Sequence, residues 1–197
     1  MANLYLGLVH YPIYNKHRET ICTSICNLDI HDIARSARTF GVKKYYLITP
    51  EPSQQQLVAR ICGFWAQNPA LMYNPDRSEA LEIVECKDSI MDIVNTITTQ
   101  EETRPQVITT TARTMASQMS FDEARTLLKS EHPVLILFGT GHGLLDDVHY
   151  SADHILCPIQ GCGEYNHLSV RSAVAIVLDR LFSEDIHGRN NGYSANS

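Results

Sequence analysis

The sequence predicts an α/β domain with a mostly parallel sheet and helices on both faces. Three observations carry this. Short apolar runs of strand length alternate along the chain with longer segments of helical periodicity. The run Val134 to Phe138 is continuously apolar, as a strand buried on both faces requires. Glycine-bearing loops follow two strands, around Gly139, Gly141 and Gly143 and around Gly161 and Gly163. Open α/β sheets place their ligands at such strand ends.

Leu4 to Val9 is the expected first strand, and His10 to Glu19 a polar, aromatic loop with Lys16 and Arg18. Asp29 is placed to cap a helix whose Ile30, Ile33, Ala34 and Ala37 share one face. Gly41 suits its C-terminal stop. His31, Arg35 and Arg38 would form a basic stripe on the opposite side, which on its own describes a solvated helix face. Lys44 to Thr49 reads as a strand ended by Pro50 and Pro52. Ser53 to Gln56 has capping-box form before a helix carrying Leu57, Ile61 and Phe64. Trp65 reads as core or interface. Asn68 to Arg77, with two prolines, is expected to be loop, and Leu81 to Cys86 a strand.

Asp88 is the expected cap of a helix with Ile90, Ile93, Val94 and Ile97 inward. Gln106 to Thr109 is a strand, followed by Thr110, Thr111, Ala112 and Arg113. Ser120 and Glu123 form a second capping box, for a helix through Leu128. After the strand at Val134 come the glycine loop, a short strand from His154 to Cys157 stopped by Pro158, and the second glycine loop. Val170, Ala173, Val174, Val177, Leu178 and Leu181 then recur at helical spacing. Residues 1–186 read as a single domain, and residues 187–197 as a polar, frayed tail.

The 197 residues suit one domain with a full core, and 44% hydrophobic with 19% charged residues is a globular composition. No apolar run reaches the length of a membrane span. The N-terminus lacks the pattern of a signal peptide. Six scattered cysteines fit reduced thiols, so a cytoplasmic location is expected. A net charge of -6 argues against non-specific nucleic-acid binding, though it leaves room for a local basic patch.

The first glycine loop fits neither the phosphate-loop nor the dinucleotide pattern, and no GxSxG elbow is present. Nucleoside triphosphates and serine hydrolysis are therefore poor assignments. His154, Cys157, Cys162 and His167 have spacing close to a zinc knuckle. His154 and Cys157 flank an apolar pair that meets a proline, which is the pattern of a strand end in a core. No metal is assigned.

Three stretches in order resemble the motifs of SPOUT-superfamily RNA methyltransferases. The first is Asp29-Ile-His-Asp-Ile-Ala-Arg35-Ser-Ala-Arg-Thr-Phe-Gly41-Val42. The second is the glycine loop from Leu137 to Leu144. The third is Cys157-Pro158-Ile159 with His167-Leu168-Ser169-Val170 and the alanine-rich segment after it. The wording is especially similar to a bacterial subfamily related to a domain sometimes joined to tRNA guanine-N1 methyltransferases.

The resemblance implies a C-terminal trefoil knot, an S-adenosylmethionine site within it, and a homodimer packed through the helix from Val170 to Leu181. It implies cofactor contacts at Gly139, Gly141, Cys157, Ile159, Leu168 and Ser169, with Thr110 adding one. It places Arg35, and Asp29 in the position of a usual Asn, in the catalytic part. His31, His142 and Arg38 are secondary candidates. The implied partner is tRNA or rRNA, with neither DNA nor membrane expected. The second motif's usual Glu is missing, with Gly141 and His142 in its neighbourhood, and Ser169 stands where the third motif has Asn. The target atom stays open. The competing expectations are a catalytically weak knotted module that acts with a partner RNA-modification protein, and a zinc-dependent RNA-recognition domain.

Overall fold

In a computed structural model of the chain, residues 2–163 and 165–190 are described, with side chains of the last helix described as far as residue 183. Six strands form one sheet: β1 (Leu4–Val9), β4 (Lys44–Ile48), β5 (Val84–Lys87), β6 (Gln106–Thr110), β7 (Val134–Gly139) and β8 (His154–Leu156). Their order is β5-β4-β1-β7-β6-β8, and every pairing is parallel. β2 (Ile13–Tyr14), inside the stretch expected to be loop, pairs with β3 (Thr20–Ile21), just after it, in a small antiparallel hairpin.

The helices are α1 (Asn27–Thr39), α2 (Pro52–Trp65), α3 (Asn68–Tyr73), α4 (Pro75–Leu81), α5 (Ile90–Glu101), α6 (Phe121–Leu128), α7 (Asp146–Ser151) and α8 (Val170–Asn190). Alternation along β1 divides the core. Leu4, Leu6 and Leu8 pack with α1, α6 and α8, whereas Tyr5 and Val9 pack on the other face with Ile93, Val94 and Ile97 of α5. Helices therefore cover both faces, and the sheet has the expected mostly parallel α/β architecture. Ile136, fully buried in β7, shows what such a position contributes. Truncation to alanine at a site of this kind costs about 2–5 kcal/mol.

Several local expectations change. Asp29 does not cap α1. The helix begins at Asn27, and Asp29 is buried in its first turn, where Arg171 of α8 meets it. The stripe on α1 is also broken up, because Arg38 donates to Glu79 of α4 and His31 packs edge-on against Trp65. The Ser53 box does not form. Pro52 opens α2, the side chain at its N-cap makes no bond, and Val58 is the buried position while Phe64 is exposed. Asn68 to Arg77 folds as α3 and the start of α4, with a proline in the first turn of each. β5 starts later than expected, at Val84, since Leu81 ends α4. Ser89 caps α5 in place of Asp88, accepting from the backbone N–H of Asp92. α7, unforeseen, fills the stretch after the first glycine loop. α8 continues through Asn190, past the expected boundary at residue 186, and the rest of the expected tail, 191–197, lies outside the described residues.

Among the described residues no helix is long and apolar enough to cross a membrane.

Candidate active site

The central strands set the location. Strand order reverses at β1, which has β4 on one side and β7 on the other. A crevice opens at such a switch point, beyond the carboxyl ends of the strands. Here it is a cleft of about 700 Å³, within the range of small-molecule sites. The segments after β3, β6, β7 and β8 line it, together with the start of α8.

The floor is the glycine loop. A Cβ on Gly139 would lie 2.7 Å from the backbone N of Leu144 and 3.1 Å from the carbonyl carbon of Gly143. Only glycine lets the loop fold back this tightly. Gly141 adopts φ 55° and Gly143 φ 94°, the left-handed region that glycine tolerates without strain. The Gly143 N–H donates to Thr140 O at 2.9 Å, closing the turn. Thr140 anchors the loop by donating from its hydroxyl to Val9 O at 3.0 Å. The hairpin lies against the loop through two backbone bonds, from His142 N–H to Tyr14 O and from Tyr14 N–H to Gly143 O, both 3.0 Å.

The walls are similarly fixed. The Thr110 hydroxyl donates to Leu137 O at 2.9 Å, tying the end of β6 to β7. Asn166 donates to Ile159 O at 2.9 Å and holds the third loop. The backbone N–H of Cys157 donates to Met119 O at 2.8 Å. His149 of α7 is buried at the cleft with Nδ1 2.9 Å from the Thr109 hydroxyl, and burial keeps its basicity low, with Arg113 adding to the effect.

Thr110, Gly139, Gly141, Cys157, Ile159, Leu168 and Ser169 all line this one cleft, and so does Asp29. Arg171 donates to Asp29 at 2.6 Å and lies 3.6 Å from Asp32; the bond to Asp29 raises the basicity of the Arg171 guanidinium. Asp29 thus reaches the cleft with its carboxylate already engaged. Arg35 stands apart. It is exposed on α1, lies outside the lining, and has no ion pair or side-chain hydrogen bond among the described residues. His142 lines the cleft, whereas His31 and Arg38 do not.

Sequence reasoning missed Thr140, His149, Asn166 and Arg171. Thr140 lies inside the second motif, but no local pattern gave any of the four a role, and only the sheet order brings them together. The four residues of zinc-like spacing do not form a cluster. Among the described residues no group of three or more His, Cys, Asp or Glu is placed to hold a metal ion, and His154 lies instead 3.3 Å from Gln106.

A glycine-floored cleft at the switch point of a six-stranded parallel sheet is where α/β proteins hold small ligands. Comparison with known proteins makes this specific. Residues 3–183 match the family described as SAM-dependent RNA methyltransferases. The chain is 43% identical over 182 residues to a tRNA (guanine-N(1)-)-methyltransferase of Oleidesulfovibrio alaskensis, covering 92% of this chain and 42% of that protein. It is 38% identical over 184 residues to an uncharacterised protein of Aquifex aeolicus, covering 93% of this chain and 90% of that one. The chain belongs to this family of SAM-dependent RNA methyltransferases.

It spans less than half the length of the first of these relatives. In fold it is similar to the TrmH/SpoU tRNA modifying enzyme of A. aeolicus, with 14% identity, a TM-score of 0.59, and coverage of 100% of this chain and 82% of that one. It is likewise similar to an AdoMet-bound rRNA methyltransferase of Sinorhizobium meliloti, with 18% identity, a TM-score of 0.55, and coverage of 92% and 56%. The α/β fold is thus shared with SpoU-type methyltransferases.

Proposed function

We propose that this chain binds S-adenosylmethionine in the cleft and transfers its methyl group to a nucleotide of tRNA or rRNA, working as a cytoplasmic homodimer with its C-terminal segment knotted through the preceding loops. The observation that carries this reading is the convergence on one cleft of the seven residues expected to contact the cofactor. The lining fits a nucleoside carrying a short charged chain. It combines close backbone approach at Gly139, apolar surface from Phe138, Leu156 and Ile159, and polar groups at Thr110, His149 and Asn166.

Bound S-adenosylmethionine supplies an electrophilic methyl group on a sulfonium. The chain's own contribution is placement. Gly139 and Gly141 allow backbone contact with the ligand, and Cys157 and Ile159 offer backbone groups from the opposite wall. Leu168 and Ser169 close the side where α8 begins. Walls fixed by backbone and threonine hydrogen bonds hold a ligand in one orientation, and alignment contributes much of the rate in a displacement of this kind. Arg35, exposed and uncommitted, is the candidate that draws in and orients the RNA. Asp29 positions Arg171 at the mouth. If the acceptor atom loses a proton, a base must take it, and His149, which lines the cleft, is the candidate by position.

The tRNA reading draws support from the relative named as a tRNA methyltransferase. Residues 1–186 remain our assignment for the methyltransferase domain. Two observations favour a second reading, a binding module that acts with a partner protein: Arg35 lies outside the cleft and Asp29 is already paired.

The test is transfer of labelled methyl from S-adenosylmethionine into total RNA from cells lacking the protein. We expect incorporation, reduced at least tenfold by Arg35→Ala. Cofactor binding without incorporation, with and without candidate partners, would sink the enzyme reading and favour the module.

A further inference from the structure

The rim of the cleft carries a charge arrangement found nowhere else among the described residues. Elsewhere Arg38, Lys87 and Arg104 each have a carboxylate of their own, and Arg171 has two. Arg18 and Arg113 share one. Arg113 Nη2 donates to Asp146 Oδ1 at 2.7 Å, and Arg18 Nη2 donates to the other oxygen of the same carboxylate. At this contact two positive groups face one negative on a chain whose net charge is -6, a surplus confined to the contact because the exposed Glu19 and Asp147 flank it in sequence.

The two side chains are 56% and 44% exposed, so N–H groups not used on Asp146 remain open to solvent. They are also held. Arg18 stacks over the Tyr14 ring with its guanidinium carbon 4.5 Å from the centroid. Its backbone, at φ 62°, turns the hairpin that is stapled to the glycine loop. The Arg113 N–H donates to the Thr111 hydroxyl at 3.1 Å, and Gln118 donates to Arg113 O at 3.0 Å. Arg113 lines the cleft itself. A planar guanidinium already fixed in place loses little freedom when it takes a phosphate.

We infer that Arg18 and Arg113, bridged by Asp146, form a clamp for an RNA backbone phosphate at the mouth of the cleft. The clamp rests on the RNA-methyltransferase reading given above. It accounts for how an acidic chain engages a polyanion: the surplus charge sits where the target nucleotide must enter. Asp146 keeps two like charges side by side and leaves their outer edges free. Lys16, exposed on the same hairpin, adds a further positive group, offset by the exposed Glu19 beside Arg18.

The experiment measures binding of the full chain to bulk tRNA between about 50 and 200 mM salt, with S-adenosylhomocysteine titrated separately. Each phosphate contact contributes roughly 0.7–0.9 to the slope of log affinity against log salt. Arg18→Ala and Arg113→Ala should each lower the slope by about that amount, with S-adenosylhomocysteine affinity within about twofold of the parent in Arg18→Ala, whose side chain lies outside the cleft lining. Arg113→Lys should keep the slope, and Asp146→Asn should bind tRNA at least as tightly as the parent, since a competing charge is gone. Unchanged slopes in both alanine variants overturn the clamp. So does an Arg113→Ala protein that loses S-adenosylhomocysteine affinity at a retained slope, which would assign the guanidinium to the cofactor's carboxylate. A parent chain that binds S-adenosylhomocysteine but no tRNA removes the clamp and leaves the cofactor site standing. One that binds neither removes both.

Discussion

Gly139 and His10 show how much single positions hold at this site. Because the atoms nearest a Cβ on Gly139 are backbone, no side-chain rotation relieves the clash, and Gly139→Ala must displace the loop. S-adenosylhomocysteine affinity by calorimetry is expected to fall at least tenfold, or about 1.4 kcal/mol. Gly63→Ala is the control. It sits in α2 with open space around its Cβ and should be neutral or stabilise by about 0.5–1 kcal/mol. Equal behaviour of the two variants would mean that the close approach has no bearing on binding.

His10 is fully buried, with Nδ1 3.1 Å from the Thr23 hydroxyl and Nε2 without a partner. Burial brings its pKa down to about 4. An unfolded chain has the ordinary value near 6.5. Between these values the unfolded state binds more protons, so stability falls as pH drops from about 6.5 towards 4, by an amount on the order of 3 kcal/mol. Urea unfolding of the parent and His10→Gln across that range should show a shallower pH dependence in the variant. Matching profiles would exclude His10 as the source. Neither residue's role was fully legible beforehand. The glycines were singled out because their type limits backbone conformation, but His10 was only part of a loop, since nothing local marks a histidine that long-range packing will bury.

At the scale of the element, two similar patterns had different outcomes. Ser120 accepts from the Glu123 N–H, and the Glu123 side chain returns to the Ser120 N–H, so the capping box forms as read. Ser53 has the same spacing to Gln56, yet α2 begins one residue earlier, at Pro52, whose fixed φ suits the first helical position. Ser120→Ala should therefore cost about 1 kcal/mol, seen as a lower melting temperature, while Ser53→Ala should change stability by less than about 0.5 kcal/mol. A comparable loss at Ser53 would contradict this assignment of the helix start. Long periodic segments such as α5 and α8 were readable because burial of one face repeats over several turns. α3, α4 and α7 were not, because six or seven residues carry too little periodicity to separate a short helix from a loop.

For the whole molecule, alternation of strand and helix was enough to give the α/β class, and motif resemblance supplied what composition could not. Strand order was out of reach of local pattern, so the residues gathered at the switch point from distant segments were as well. The apolar face of α8 also proves to be spent at home: Val174, Val177, Leu178 and Leu181 lie in the core with α1 and α6. A homodimer through this region would use groups left outside the buried core, such as the half-buried Val170 and Ile176 of α8 and Leu28, 55% exposed in the first turn of α1. Light scattering should give twice the 22.2 kDa chain mass, shifting towards the monomer in Leu28→Asp. A monomeric parent at micromolar concentration would dispose of the dimer.

The pairing of β1 has a consequence for how the chain acquires its shape. Its neighbour β4 is close in sequence, but on the other side Leu4 meets Val134 and Val9 meets Gly139. Closing so long a loop carries an entropic cost before any contact compensates, and topologies rich in distant pairings fold slowly. Until β7 arrives, the central strand has a bare hydrogen-bonding edge flanked by apolar side chains, the kind of surface on which chains associate wrongly. β7 is also the strand that ends at Gly139. The step that covers this aggregation-prone edge is therefore the step that sets the floor of the cleft, and ligand binding reports on the longest-range pairing in the sheet.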